Sequence, residues 1–403
     1  NSNFFMEQKN IEAEVSRNIL DDSRPKIKVG ITHGDTNGVG YELIFKTFAD
    51  SGMLELCTPV VYGSAKLASF HKKAVGADVT YHVVESGAEA HPNHLNLVNC
   101  FDEEVKVDFG TSNPEAGHAA FLALERATDE LKEGKIDVLV TAPINKSSIQ
   151  SSNFHFSGHT EYLEERLGSE HGTLMILTNS LMRVALVTTH LPVHEVAEAI
   201  TPELVELKLR LFQYSLRHDF LLSMPRIAVL GLNPHNGDSG VIGKEESEII
   251  KPVIEKLVGE GKHIFGPYSA DGFFGAGLYQ HFDGVLAMYH DQGLAPFKAL
   301  SMDDGVNFTA GLPFVRTSPD HGTAYDIAGT GTANPDSFRQ AVFSAIDIYR
   351  NRQKYKEATK NPLPKLYRDR REDGERPRRF SRERTDMPSS NNASDQNSNT
   401  GQE

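Results

Sequence analysis

Short runs of β-branched and other apolar residues alternate along this chain with helical apolar patterns. That alternation constrains the fold more than any other feature, because it is what successive strand–helix units of a largely parallel sheet require. One unit is complete in the sequence. Asn113 can cap a helix with Pro114 at its first position, Ala120, Leu124, Ala127 and Leu131 form an apolar stripe, and Gly134 ends it. A strand over Ile136–Thr141 follows at once. A second helix starts at Thr201-Pro202-Glu203, is expected to present Leu204, Leu207 and Leu211 on one face, and leads to a strand over Arg226–Leu232. No internal repeat is visible. The expected fold class is α/β.

The chain has 403 residues, more than one ordinary core holds, which suits two domains or one large α/β body with an appendage. Residues 1–25 are polar and weakly periodic and read as a mobile extension. Residues 362–403 turn to Arg-Asp-Arg-Arg-Glu and then to Ser- and Asn-rich sequence, a composition expected to stay disordered. Residues 26–361 remain as the catalytic body. The two cysteines, Cys57 and Cys100, exclude a disulfide framework and read as ordinary reduced thiols. A net charge of −14 argues against nonspecific binding to nucleic acid. No apolar run approaches the roughly 18–20 residues that cross a bilayer, and no secretory layout opens the chain, so a soluble cytoplasmic protein without membrane contact is expected.

In open α/β sheets, ligands bind beyond the carboxyl ends of the strands. Three apolar runs end in histidine: Arg183–Thr189 leads to His190, Ile227–Pro234 to His235, and Gly284–Tyr289 to His290. Neutral imidazoles suit zinc, cobalt, nickel or iron, and three protein ligands leave positions open for substrate. Each histidine taken singly is more often a hydrogen-bonded loop residue than a ligand, and it is the three matched positions that bring a metal site into the reading. Asp291, beside His290, could fix an imidazole tautomer or simply cap a loop.

Other segments carry two readings each. Gly34-Asp-Thr-Asn-Gly38-Val-Gly40 follows an apolar run and opens a helical pattern, either as a tight turn or as backbone lining an active site. Its spacing is neither a dinucleotide nor a phosphate-loop fingerprint. Lys298 and Arg316 are either surface charges or pocket cations. Arg316 offers a planar two-pronged grip on phosphate or carboxylate, and Lys298 a compact charge or a proton-transfer group. His159 and Thr160 open a helix, where they either meet an anion at its exposed N–H groups or sit behind a Ser157 or Thr160 cap.

Several segments together resemble the family of 4-hydroxythreonine-4-phosphate dehydrogenases. They are Thr141-Ala-Pro-Ile-Asn-Lys146, Gly158-His-Thr-Glu161, Thr189-His-Leu-Pro192, Leu232-Asn-Pro-His235 with Gly237, Gly240 and Gly243, Tyr289-His-Asp-Gln-Gly293, and Arg316-Thr-Ser-Pro-Asp-His-Gly-Thr-Ala324. They occur in the family's order over about Lys26–Tyr349.

The resemblance implies an isopropylmalate/isocitrate-dehydrogenase-like fold of two α/β subdomains with a cleft between them. It implies His190, His235 and His290 as ligands of one divalent metal (zinc, magnesium or cobalt) and His159, Thr160, Lys298, Asn307 and Arg316 as substrate contacts. By analogy, Gly322, Thr323, Ala324, Asp326 and Asn334 would bind NAD or NADP, with Asp326 facing the adenine ribose and Asn334 the adenine. The implied reaction oxidises and decarboxylates 4-phosphooxy-L-threonine, a small phosphorylated hydroxy amino acid. The implied assembly is a homodimer with the active site at the interface, so the metal ligands need not all come from one chain. Lys298 is the expected general base, with Asp291 or metal-bound hydroxide as alternatives. Competing activities are a 4-phosphoerythronate or 4-phosphothreonate dehydrogenase and, more distantly, a metal-dependent hydrolase or aldolase. His33, Thr36 and Asn37 depart from the family, which usually has Pro at the first position and Pro-Ala at the others.

Overall fold

The computed structural model describes residues 25–362 apart from 103, 151–153, 301 and 302. The expected N-terminal extension and C-terminal tail lie outside the described residues, but for Pro25 and Pro362. Twelve strands occur among the described residues: β1 Lys28–Thr32, β2 Thr58–Gly63, β3 Tyr81–Val84, β4 Leu95–Asn99, β5 Val138–Thr141, β6 Leu174–Thr178, β7 Arg183–Leu186, β8 Ile227–Leu230, β9 Ile264–Tyr268, β10 Gly284–Ala287, β11 Val306–Ala310 and β12 Val315–Pro319. They form one sheet in the order β3-β4-β2-β1-β5-β12-β11-β6-β7-β10-β8-β9. The α/β class is as expected.

The sheet has two parallel blocks around an antiparallel centre. From β3 to β12 every pair is parallel. β11 runs antiparallel to β12 and β6, and β6 antiparallel to β7. From β7 through β10 and β8 to β9 the pairing is parallel again. Strands β2, β5, β8 and β10 are buried along their whole length, because helices cover both faces, and this is why they read as near-continuous apolar runs.

Local signals decide the helices. The Asn113 side chain accepts from Ala116 N at 2.8 Å and caps the helix Pro114–Lys132, whose Ala120, Leu124, Ala127 and Leu131 are all buried. Gly134 follows with φ 72°. The helix Pro202–His218 begins at its Thr201 cap, and its expected face is buried only in part: Leu211 is buried and Leu204 half-buried. Leu207 is 39% exposed, whereas Val205, Leu209, Phe212 and Leu216 are fully buried at spacings of four, three and four. The expected strands over 136–141 and 226–232 both occur and are shorter by two residues or more. No described helix is long and apolar enough to cross a membrane.

Candidate active site

The centre of the sheet buries a cation. Arg316 on β12 is 3% exposed, and its guanidinium has hydroxyl partners: Nε and Nη2 donate to Thr141 Oγ1 at 3.1 and 2.7 Å, and Nη1 donates to Thr309 Oγ1 at 3.1 Å. Thr141 ends β5 and Thr309 lies on β11, so the two strands flanking β12 hold the fork from both sides. Among the described residues Arg316 makes no ion pair at salt-bridge distance. Burial lowers its pKa to about 10, against the opposing charge of Glu161.

Neutral polar groups surround this charge. His159 is half-buried as a residue, but its Nε2 is buried without a hydrogen-bond partner. Burial first, and then the charges of Arg316 and Lys146, hold the imidazole neutral well below the usual histidine range. Thr160 Oγ1 lies 3.4 Å from Thr309 Oγ1. Asn307 precedes Thr309 by two residues on β11 and so shares its face. Its Nδ2 donates to Met175 Sδ at 3.4 Å, while its Oδ1 is buried and unpartnered. A buried guanidinium with only hydroxyl partners, beside two orphaned polar atoms, is a site built for an anion with further polar groups. His159 opens the helix His159–Leu167 and neither Ser157 nor Thr160 caps it, since the helix has no side-chain cap hydrogen bond.

Next to the anion pocket, two strand-end imidazoles approach each other. His190 follows β7, His290 follows the neighbouring β10, and their ring centroids are 6.4 Å apart. With Thr188, Tyr289 and Asp291 they line a cavity of about 260 Å³. His190 Nδ1 lies 3.4 Å from Glu161 Oε1, and its Nε2 accepts from Lys146 Nζ at 3.1 Å. His290 Nδ1 lies 2.7 Å from Asp291 Oδ1. Each ring thus turns Nδ1 toward a carboxylate, which leaves Nε2 as the acceptor, the tautomer a metal-ligating histidine takes. The hydrogen bond from His190 is also the main reason the Glu161 carboxyl lies below its usual range.

His235 is not among the residues that line this cavity. Its segment, Pro234–Gly240 beyond β8, passes through six successive residues with positive φ, from His235 to Gly240, which break the line of the strand. His235 instead acts electrostatically on the Asp271 carboxylate. Among the described residues no three His, Cys, Asp or Glu side chains stand together as a metal site. One chain therefore assembles two of the three expected ligands.

Lys298 lies about two turns beyond His290 on the helix His290–Leu300. Its Nζ donates to Asp320 O at 3.0 Å and pairs with Asp320 Oδ1 at 3.5 Å. Asp291 is exposed, and its carboxylate is turned to the imidazole beside it.

The segment expected to bind nucleotide lies against the Gly-rich turn. Val39 N donates to Thr323 O at 3.1 Å, and a Cβ on Gly38 would stand 2.8 Å from that same oxygen, so only glycine permits the contact. Lys46 Nζ donates to Gly331 O and Ala333 O at 2.8 and 2.7 Å. Gly322 and Asp326 are exposed, and Ala324 has φ 47°. Asn334 Oδ1 accepts from Asp336 N at 3.0 Å, just before the helix Asp336–Thr359. Of the departures from the family pattern, His33 is fully buried and stacks on Tyr41 with ring centroids 5.0 Å apart. Asn37 ties down the 108–111 loop, donating to Thr111 O and accepting from Asp108 N, both at 2.8 Å.

Thr141, Lys146, Glu161 and Thr309 join the site, and no role for them follows from the sequence. Lys146 and Glu161 sit where a strand gives way to a loop or a helix begins, the same kind of position that the three histidines occupy.

The family model described as pyridoxal phosphate biosynthetic protein PdxA matches residues 55–345. A 4-hydroxythreonine-4-phosphate dehydrogenase of Bacteroides thetaiotaomicron is 60% identical over 351 residues, covering 87% of this chain and 96% of that protein. One of Prosthecochloris aestuarii is 41% identical over 329 residues, covering 80% and 97%. The crystal structure of 4-hydroxythreonine-4-phosphate dehydrogenase from Klebsiella pneumoniae superposes with a TM-score of 0.70 at 33% identity, covering 81% of this chain and 98% of that one.

Proposed function

The chain belongs to the family of the pyridoxal phosphate biosynthetic protein PdxA, and on that premise we propose that it oxidises and decarboxylates 4-phosphooxy-L-threonine, giving 3-amino-2-oxopropyl phosphate. The C3 hydrogen leaves as hydride and the C3 hydroxyl loses its proton. The resulting 3-oxo acid then releases its carboxylate as carbon dioxide, the bonding electrons pass toward the ketone, and a proton returns at C2.

The observation that carries this reading is the buried Arg316 guanidinium held by Thr141 and Thr309, next to the unpartnered His159 Nε2. A dianionic phosphate or the substrate carboxylate would meet the charge that hydroxyls alone leave uncompensated. Thr160, His159 and Asn307 add neutral contacts that fix which group lies where. We assign Lys298, held at Asp320, to take the hydroxyl proton, and Asp291 to orient the His290 imidazole.

The two imidazoles fit a divalent metal as far as they go, each with Nδ1 held by a carboxylate, and a metal at His190 Nε2 would displace the Lys146 ammonium that now donates to it. His190 and His290, with His235 of the partner subunit of a homodimer, would hold it. The metal, whether zinc, magnesium or cobalt, would supply Lewis acidity that eases hydroxyl deprotonation and offsets charge on the C3 oxygen. NAD or NADP would lie along Gly322, Thr323 and Ala324, with Asp326 at the adenine ribose and Asn334 at the adenine, and would accept the hydride. Purified protein supplied with 4-phosphooxy-L-threonine, divalent metal and either nucleotide should form reduced nicotinamide. No reduction with either nucleotide would end the proposal.

A further inference from the structure

We propose that the outer edge of the sheet carries a separate cation site, in which His82, His91 and His94 bind one late first-row divalent ion such as Zn²⁺. His82 is an exposed residue of the edge strand β3, and the β3–β4 register sets it directly opposite Asn96. The turn before β4 runs through His91, Pro92, Asn93 and His94. Asn93 adopts φ 63°, which folds the turn back and brings both of its histidines near His82.

One buried side chain fixes this arrangement. Asn96 is fully buried, its Oδ1 accepts from His91 N at 2.8 Å, and its Nδ2 donates to His91 O at 3.0 Å and His94 O at 2.9 Å. A further donation to Pro59 O at 3.1 Å ties it to β2. The backbones of two histidines and the strand partner of the third are therefore set by a single amide.

The rings gather accordingly. Their centroids are 4.5 Å apart for His82–His94, 5.4 Å for His82–His91 and 6.4 Å for His91–His94. A point about 3.2 Å from all three centroids exists for such a triangle, which is the spacing imidazoles keep around one ion bound at about 2.1 Å. His94 Nδ1 lies 2.9 Å from Pro92 O, so its N–H donates to that carbonyl and Nε2 is free to ligate.

The nitrogens do not already converge as a formed site. All three side chains are exposed, however, so their rings are free to change rotamer and turn their nitrogens inward. Three neutral nitrogen donors without thiolates favour zinc, copper, nickel or cobalt over magnesium or calcium. Bound there, the ion would cross-link β3, an edge strand of the sheet among the described residues, to the turn that leads into β4.

The test counts Zn²⁺ bound per chain by equilibrium dialysis of chelator-stripped protein at neutral pH. His82→Ala and His94→Ala should each bind one Zn²⁺ fewer per chain than the unmodified protein, with unchanged far-ultraviolet circular dichroism and turnover. The difference is read whether or not the catalytic site also takes metal. An unchanged count in either variant would overturn the proposal.

Discussion

The Tyr325 hydroxyl donates to Asp35 Oδ2 across 2.7 Å, joining the segment proposed to hold the nucleotide to the Gly-rich turn after β1. The same carboxylate accepts from Ser148 Oγ at 3.2 Å and from Asn37 N at 2.8 Å, and Asp35 N donates to Pro143 O at 2.9 Å. The loop after β5, which carries Lys146, therefore shares one anchor with the nucleotide segment. Removing the hydroxyl in Tyr325→Phe should raise KM for the nicotinamide nucleotide by about tenfold, the scale of one hydrogen bond to a charged acceptor. Its melting temperature should move little, because Tyr325 is only half-buried. Steady-state kinetics with nucleotide varied check this, and an unchanged KM would remove Asp35 and Tyr325 from the binding of the nucleotide.

Arg316 is held as a fork, with one prong to Thr309 and two nitrogens on Thr141. Arg316→Lys keeps the charge but cannot span both strands, and should lower kcat/KM by about a hundredfold or more. The loss should appear with the phosphorylated substrate while thermal unfolding remains cooperative. Near-normal kcat/KM would show that the guanidinium is structural.

Two buried histidines near the Gly-rich turn give the fold a pH dependence of known sign. Burial holds His33 at a pKa of about 3 and His71 at about 4, both below the ordinary 6.5. Above about 6.5 both are neutral in the folded and unfolded chain, and their contribution is fully present. As pH falls from there toward 4, the unfolded chain takes up protons that the folded chain refuses, so stability is lost by up to about 1.4 kcal/mol per pH unit per group. The urea midpoint should fall between about pH 7.5 and pH 5, and His71→Phe should flatten that fall. An equal fall in the variant would assign the effect to other groups.

Within one chain His190 and His290 meet and His235 does not, which makes subunit complementation informative. His235→Ala and His290→Ala should each be nearly inactive alone. Mixed and reassembled, they should regain about a quarter of normal activity, since half of the dimers would be hybrids with one complete site of two. Absence of recovery, with exchange verified by mass, would place all three ligands in one chain.

Much of this arrangement was legible in the sequence wherever the signal was local. The helix Pro114–Lys132 announces its cap, its proline, its stripe and its terminating glycine within 22 residues. His190, His235 and His290 do follow three strands, but strand position alone does not say where the next loop turns, and the left-handed run from His235 to Gly240 breaks the line of that strand. On the helix Pro202–His218 the leucine spacing places Leu211 correctly on the buried side but Leu207 wrongly, because Val205 and Phe212 set the phase of the buried face. Lys146 and Glu161 reach His190 across 44 and 29 residues. That proximity follows from the order of strands in the sheet, and nothing in the local sequence writes that order, least of all the antiparallel insertion of β11 and β6.

The central claim is that Arg316, the paired imidazoles and the nucleotide segment act as one oxidising and decarboxylating site. It is tested most directly by measuring reduced nicotinamide and carbon dioxide together, with 4-phosphooxy-L-threonine and with 4-phosphoerythronate at matched concentrations. The account predicts the two products in about equal amounts from the amino acid, and a preference for it of orders of magnitude, because polar groups that pair with the amine would be left poorly satisfied without it. Preference for the amine-free acid, or reduced nicotinamide without carbon dioxide, would contradict it.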